Sequence, residues 1–429
     1  MTAAGLPHES RLSDAFVSLL GRECVRDARA DEIGVARVIV EPATIGEIAE
    51  VVQKCARDRL TLAPLGGGRI LAQIRREPVS VGLALRRCAR VVAYEPEDLT
   101  VAVEAGLTVG QLNELAGGKG QRLAVDPPLP ERTTIGSLIA AARSGPLRLS
   151  EGTVRDLLIG IKYIGREGRV VNAGGRVVKN VTGYDLMKVM TGSYGTLGVI
   201  VEAAFKMRPV PANYTVALAG FARLEEAFDA AFRSSHGAPL LHCEIVSRRI
   251  GLALPGSPAS ANDRRFLLIA GLGGTRAEVD YQLTQIRGAV GTLIEALDGA
   301  AAEAVYHAIR DCPAAEATIG ARIVVAPSAL AGALEAAGAE FCAHAVSGIA
   351  QLFLDDVDEQ AAHEAVARWR ALAHRAGGHL TVVAARDSVR AGLSMFDEPG
   401  AGALALMRRL KAAFDPSNIF NPGCYVGGI

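Results

Sequence analysis

At 429 residues, half of them apolar and including 47 glycines and 19 prolines, the chain is too long for one ordinary core and too apolar for disorder, so two α/β or α+β domains are expected. Its 46 basic residues cancel its 46 acidic ones, which removes any whole-chain electrostatic case for nucleic acid or an anionic membrane. No apolar run reaches the ~20 residues of a membrane-spanning helix, and Met1 to Leu12 lacks the apolar core of a signal peptide, so a cytoplasmic location is expected.

The stretch Arg37 to Gly68 reads as strand, helix, strand and glycine loop. Val38, Ile39 and Val40 are β-branched, Pro42 ends the strand, and Thr44 with Glu47 forms a capping box. Ile45, Ile48, Ala49, Val52 and Ala56 then recur at helical spacing, giving that helix one apolar face for a sheet. Leu60 to Pro64 resumes strand character and runs into Gly66-Gly67-Gly68, where backbone N–H groups are free to approach an anion. By itself this loop is a weak signal, because such turns also merely join strands.

Val91 to Gly106 is strand-like again, and Thr108 with Gln111 opens a short helix that Gly117-Gly118 is suited to close. A proline-rich loop, Asp126 to Pro130, precedes Thr134-Ile135-Gly136-Ser137 and a helix of small residues ending near Arg143-Ser144-Gly145-Pro146. Ile159 to Ile164 and Arg169 to Asn172 form a predicted hairpin about Arg166-Glu167-Gly168. Two irregular, glycine-bearing stretches follow, Gly174 to Leu186 and Gly192 to Ile200, with more special residues than turns alone need.

Arg208-Pro209-Val210-Pro211 is a stiff connector and a domain boundary. Beyond it, alanine-rich helices (Leu224 to Phe232, Ala277 to Ile286, Gln360 to Arg375) alternate with strands (Phe266 to Ala270, Arg322 to Ala326, Ile349 to Leu354). That pattern describes an α+β domain, a small antiparallel sheet with helices on one face. Gly271-Leu272-Gly273-Gly274-Thr275-Arg276 invites a dinucleotide reading, but Arg276 stands where close helix packing needs glycine or alanine, leaving an ordinary strand-to-helix turn. The chain ends in an amphipathic helix and the turn-rich Asp415-Pro416-Ser417-Asn418 and Asn421-Pro422-Gly423.

Together, Pro64 to Arg69, Thr134 to Ser137, Lys179-Asn180-Val181-Thr182-Gly183-Tyr184-Asp185-Leu186 and Gly192 to Ile200 resemble the FAD-binding domain of the vanillyl alcohol oxidase and p-cresol methylhydroxylase family. The Lys179 to Leu186 stretch looks like the FAD-binding subunit of bacterial glycolate oxidases, and Phe414-Asp415-Pro416 with Ile419 to Gly423 matches the family's closing motif. The resemblance implies an α+β fold: a two-subdomain FAD-binding domain over 37–208, a smaller cap domain with an antiparallel sheet over 209–405, and a segment, 406–429, returning to the FAD domain, with 1–36 as an N-terminal segment.

It also implies FAD as cofactor. Leu65, Gly66, Gly67, Gly68, Arg69 and Ile70 would hold the pyrophosphate, Thr134, Ile135, Gly136, Ser137 and the Gly145 region would line the flavin, Gly198, Val199 and Ile200 would touch the adenosine side, and Pro64, Gly152 and Asp156 belong to the same cofactor set. Gly192 and Asn421 complete the cofactor set. Ser137 departs from the family, whose members usually carry a second glycine there.

What the chain lacks is also informative. No histidine lies between His8 and His236, so a histidyl-flavin link has no candidate in the FAD domain, and non-covalent FAD is expected. The cap has His374 and His379 about Gly377-Gly378, but not the two-histidine motif that related 2-hydroxy-acid dehydrogenases carry, and no catalytic base or metal site is nominated. The cysteines at 24, 55, 88, 243, 312, 342 and 424 include no CxxC pair, so neither disulfides nor an iron–sulfur cluster is expected. Reduced flavin must then pass its electrons outward.

The expected function is an FAD-dependent oxidoreductase, the FAD-binding subunit of a glycolate-oxidase-type complex acting on a small 2-hydroxy acid such as glycolate or D-lactate. Its expected partners are a second, catalytic flavin subunit and an iron–sulfur subunit, with membrane association only through them. The alternatives are a self-sufficient dehydrogenase of another alcohol or hydroxy acid, and a structural subunit with a decayed flavin site.

Overall fold

A computed structural model describes residues 7–27, 34–67, 71, 74, 77–175, 185–255, 265–291, 294–312 and 317–429, with side chains from residue 11 onward. The Lys179 to Tyr184 motif and Gly68, Arg69 and Ile70 lie outside the described residues.

Strands β1 (Val25–Arg26), β2 (Ala36–Val40), β3 (Leu62–Leu65) and β4 (Val79–Ala84) form a sheet in the order β1-β2-β4-β3, with β2, β4 and β3 parallel. The helix Ile45–Asp58 is the crossover from β2 to β3, which run parallel on either side of β4. Thr44 accepts a hydrogen bond from the Glu47 N–H at its start, one half of the expected capping box, while the Glu47 carboxylate accepts from the Ala43 N–H one residue earlier. Its fully buried face is Ile48, Val51, Val52 and Cys55, turned slightly from the predicted stripe, whose Ile45, Ala49 and Ala56 pack at the margin.

A second sheet is built from β5 (Val91–Glu95), β6 (Thr100–Glu104), β8 (Leu158–Ile164), β9 (Val170–Gly174) and β10 (Val199–Lys206), in the order β5-β6-β10-β8-β9. The two remaining short strands before residue 210, β7 (Gln121–Arg122) and β11 (Arg208–Pro209), pair with each other. The predicted hairpin is the β8–β9 pair, and the predicted capping box on the helix Val109–Gly117 has both of its hydrogen bonds. One apolar core, including Ile48, Val52, Leu112, Ile135, Leu138, Val199 and Phe205, joins both sheets.

Strand partners change between Pro209 and Asn213. From there, β12 (Asn213–Phe221), β13 (His242–Ser247), β14 (Phe266–Gly274), β15 (Glu295–Asp298), β16 (Ile319–Val324), β17 (Glu340–His344), β18 (Ile349–Leu354) and β19 (His379–Ala385) form one antiparallel sheet in the order β15-β12-β14-β13-β17-β18-β16-β19. Antiparallel pairing is as expected, but at eight strands this is the largest of the sheets, and both faces are covered. Along β12, Ala217, Ala219 and Phe221 pack with the helices Leu224–Gly237, Arg276–Val290, Pro327–Ala337 and Glu359–Arg375, while Val216 and Leu218 pack beneath Gly299–Arg310. The period of two delivers alternate residues to opposite cores. Gly271 to Gly274, expected as a strand-to-helix turn, instead extend β14 in register with β12, and the helix Arg276–Val290 follows directly, opened by a capping box of Thr275 and Glu278.

The C-terminal helix, Ala401–Phe414, leads the chain back to the first sheet. Leu62 N–H donates to the Ile419 carbonyl (2.7 Å) and Asn421 N–H to the Leu62 carbonyl (2.6 Å), which places Phe420 beside β3. Lys411 Nζ, buried, donates to Asp415 and to the carbonyls of Thr196 and Phe420 at 2.6, 2.8 and 2.7 Å. Asp415 in turn accepts from the Ile419 and Phe420 N–H groups, so the Asp415-Pro416 turn has an internal electrostatic reason. No described helix is long and apolar enough to cross a membrane.

Candidate functional site

A deep cleft runs between the two halves of the molecule, and each half contributes a wall of different chemistry. The first wall is largely backbone. It contains Pro64, Leu65, Gly66 and Gly67 at the end of β3, Thr134, Gly136 and Ser137 at the start of the helix Ile135–Ala141, Gly145 beyond it, and Gly198 and Ile200 at the start of β10. The three glycine-bearing turns of 64–67, 134–137 and 192–200 therefore meet at one place.

Close approach explains these glycines. A Cβ on Gly66 would sit 2.3 Å from Thr134 Oγ1, one on Gly67 2.5 Å from the Arg132 carbonyl, and one on Gly145 2.1 Å from the Asp126 carbonyl. Gly198 combines φ +154° with a Cβ position 2.8 Å from the Ile164 carbonyl, so any side chain is excluded twice. Asp126, fully buried, accepts from the N–H groups of Gly145 (3.1 Å) and Leu147 (2.9 Å) and from Tyr306 OH (2.9 Å). Burial pushes its carboxyl up despite these donors.

Tyr194 adds the one large aromatic of this wall, at a left-handed φ of +53°. Its N–H donates to the Ala140 carbonyl (2.8 Å), its own carbonyl accepts from Asn421 Nδ2 (2.6 Å), and its ring stacks on Tyr425 with centroids 5.0 Å apart. A non-glycine residue in that conformation is held by its surroundings and marks a constrained site.

The remaining predicted residues that are described fall outside the cleft lining. Ile135 and Val199 are buried in the core behind it. Asp156 accepts from both the N–H and the hydroxyl of Thr153, capping the helix Val154–Leu157, and Gly152, at φ +80°, makes room for that carboxylate. Those donors hold the Asp156 carboxyl below its usual range. Gly192 donates to the Ile139 carbonyl, and Asn421 is a fully buried strut beneath Tyr194.

The second wall is made of side chains the sequence did not single out: Arg310, Asp311, Cys312, Arg322, Cys342, His344, Gln351 and Val383. Arg322 on β16 and Gln351 on β18 face each other in register. The buried Nε of Arg322 and Oε1 of Gln351 have no hydrogen-bond partner among the described residues. His344, at the end of β17, gives Nδ1 to Glu244 Oε1 at 3.1 Å. Glu244 is its register partner on β13, and Oε2 of the same carboxylate takes His242 Nδ1. His242 and Glu244 are two apart on a strand and so share a face, a legible signal; their meeting with His344, a hundred residues on, was not.

Across both walls the described lining carries Arg132, Arg143, Arg310 and Arg322 against a single acid, Asp311, which is itself paired with Arg310 at 2.7 Å. Anions are favoured throughout. Cys55 and Cys88 are buried in the core and do not line the cleft, and burial pushes their thiols up to about 12 and about 11.

Comparison with known proteins agrees with this geometry. Residues 36–174 match the FAD binding domain, and residues 339–425 match the C-terminal domain of FAD linked oxidases. A mitochondrial D-lactate dehydrogenase [cytochrome] of Arabidopsis thaliana is 27% identical over 91% of this chain and 73% of its own length. Glycolate oxidase subunit GlcE of Escherichia coli is 39% identical over 29% of this chain, and subunit GlcD of Bacillus subtilis 29% identical over 44%. These two matches span only 36% and 40% of the relatives' own lengths. In fold, alkyldihydroxyacetonephosphate synthase superposes with a TM-score of 0.73 at 19% identity, over 97% of this chain and 86% of that one. p-Cresol methylhydroxylase superposes with a TM-score of 0.68 at 17% identity, over 98% of both chains. With these two domains in this order, the chain is an FAD-dependent oxidoreductase, and its fold is shared with p-cresol methylhydroxylase.

Proposed function

We propose that the chain holds FAD non-covalently along the glycine wall and oxidises a small 2-hydroxy acid against the arginine wall, as the flavin subunit of a glycolate-oxidase-type complex. The carrying observation is that Gly67, Gly136 and Gly198, far apart in sequence, line one cleft opposite Arg322 and Gln351. In this reading Pro64 to Ile70 hold the pyrophosphate, Thr134, Gly136, Ser137 and Gly145 lie along the flavin, and Gly198 to Ile200 lie at the adenosine. Ile135, Val199, Gly152, Asp156, Gly192 and Asn421 support these turns from behind.

FAD, when bound, supplies the acceptor for two electrons and the hydrogen of the substrate C–H bond. The protein's part is orientation. An unpartnered guanidinium N–H beside an amide oxygen, both shielded from water, suits a ligand that brings an acceptor and a donor together, as the carboxylate and hydroxyl of a 2-hydroxy acid do. The relatives support the same class, since those named above are a D-lactate dehydrogenase and glycolate oxidase subunits.

Electrons then leave to a second flavin subunit and an iron–sulfur subunit. A self-sufficient dehydrogenase is the second reading, favoured by the likeness to the Arabidopsis enzyme over nearly the whole chain. Anaerobic addition of glycolate or D-lactate to the purified holoprotein separates the two. Flavin bleaching that waits for the partner subunits supports the complex; prompt bleaching by the chain alone supports the second reading; no bleaching under either condition overturns the substrate class. Acid precipitation should leave the FAD in the supernatant.

A further inference from the structure

Alcohol oxidation requires a group to take the hydroxyl proton, and the cleft contains one histidine, His344, whose hydrogen-bond environment dictates its tautomer. Glu244 lies wholly inside the fold at 1% exposure, and each of its oxygens faces a histidine: Oε1 meets Nδ1 of His344 and Oε2 meets Nδ1 of His242. An ionised carboxylate has only lone pairs to offer, so both Nδ1 atoms must carry the hydrogens. His242, fully buried, then turns its Nε2 lone pair to Tyr214 OH, 2.7 Å away. Among the described residues nothing hydrogen-bonds the other nitrogen of His344, and its side chain lines the cleft.

Resting on the hydroxy-acid reading above, we propose that Glu244 fixes His344 as the Nδ1–H tautomer, so that His344 Nε2 accepts the hydroxyl proton of the substrate in the cleft. The alcohol O–H bond breaks and its electron pair becomes the second bond of the product carbonyl. The proton stays on Nε2, giving an imidazolium paired with Glu244. FAD, when held in the cleft, would supply the acceptor for the C–H hydrogen and its electron pair. His344 is the catalytic residue of this step and Glu244 a positioning residue.

The neighbouring acids do not compete for His344. Asp126 is taken up by Gly145, Leu147 and Tyr306, and Asp311 by Arg310 and the Leu129 N–H. The cations on adjoining elements are Arg322 on β16, Arg310 after β15, and Arg148 on the helix packed against β13. Burial pushes the Glu244 carboxyl up, but the hydrogen bonds from the Nδ1–H groups of His242 and His344 act against it, and the carboxyl is held below its ordinary value.

The test has two arms on the full-length holoprotein. Long-range proton–nitrogen NMR of histidine-labelled protein should show His344 with hydrogen on Nδ1, and Glu244→Gln, still yellow with FAD, should lose that single tautomer. In the kinetic arm, His344→Ala should slow anaerobic flavin bleaching by D-lactate or glycolate at least 100-fold with little change in KM, and added imidazole should restore part of the rate. An Nε2–H tautomer in the wild-type protein, or a His344→Ala variant that bleaches at the wild-type rate, overturns the proposal. Should neither acid bleach the wild type, the substrate reading fails, and the tautomer arm alone decides whether Glu244 positions His344.

Discussion

The two walls of the cleft are built on opposite principles. The wall before residue 210 offers backbone: at Gly66, Gly67, Gly145 and Gly198 there is no space for a side chain, so chain segments come close enough to present amides and flat surface. The wall after it offers side-chain tips, Arg322, His344 and Gln351, standing on strands of a stiff sheet. A backbone wall suits a large constant ligand such as a dinucleotide, whereas a wall of tips is tuned to a small one by single replacements. The sharpest way to break this division is at the first wall. Gly198→Val must force an L side chain into φ +154° and a 2.8 Å contact with the Ile164 carbonyl, costing about 3 kcal/mol or more. The variant is expected to purify colourless with FAD supplied, measured by absorbance near the flavin bands; full FAD retention would deny that this wall holds the cofactor.

Replacement on the second wall should separate substrate from cofactor. Arg322→Met keeps much of the stem volume and removes the guanidinium. Loss of one partner of a buried charge-assisted contact costs about 3 kcal/mol, so KM for the responsive hydroxy acid should rise roughly 100-fold while FAD stays bound. An unchanged KM would move the substrate carboxylate elsewhere.

The same contrast decides what could be read from the residues in order. The glycine wall is made of short local runs, and 64–67, 134–137 and 192–200 together carry the family resemblance that implied the fold and the cofactor, although no one run did so alone. Asp156 and Asn421 show the limit of that reading: both were expected in the cofactor set, yet one caps a helix and the other braces Tyr194 from below. Arg322, Gln351 and the Glu244–His344 pair were invisible because they meet only through strand register, and an isolated arginine or histidine on a strand announces no partner. Helices on the second face of the eight-stranded sheet were missed for a related reason. β12 is apolar at nearly every position, and such a run does not reveal that two different cores share it.

Acid should distinguish the walls again, with opposite signs. Glu244 has a lowered folded value, so its contribution is present above the ordinary carboxylate range and is lost as pH falls through that lowered value. Asp126 has a raised one, so its contribution is present below its unfolded value and is lost as pH rises through the folded value. Glu244→Gln breaks a buried charged cluster, at about 3–5 kcal/mol near neutrality, and that deficit should shrink below about pH 4.5. Asp126→Asn, costing about 1–3 kcal/mol, should instead show a deficit that grows in acid. Urea melts of both variants between pH 4 and 7.5 read the crossing; parallel curves would mean that neither carboxylate carries the pH dependence.

The smallest effect concerns how the walls are fixed to one another. Tyr306, on the helix Gly299–Arg310, reaches across to Asp126, while Asp311 takes the Leu129 N–H at 2.7 Å, so two side chains of the second half bind the loop that shapes the first wall. Tyr306→Phe removes one donor and leaves Asp126 with the Gly145 and Leu147 N–H groups, so the loss should be near that of a single hydrogen bond, about 1 kcal/mol. At about 2–4 °C per kcal/mol for a large domain, the melting temperature should fall by only a few degrees, and FAD affinity should change less than about threefold. A loss of 3 kcal/mol or more, or release of the flavin, would show that this hydroxyl is the principal latch and that the cofactor wall depends on the opposite half for its shape.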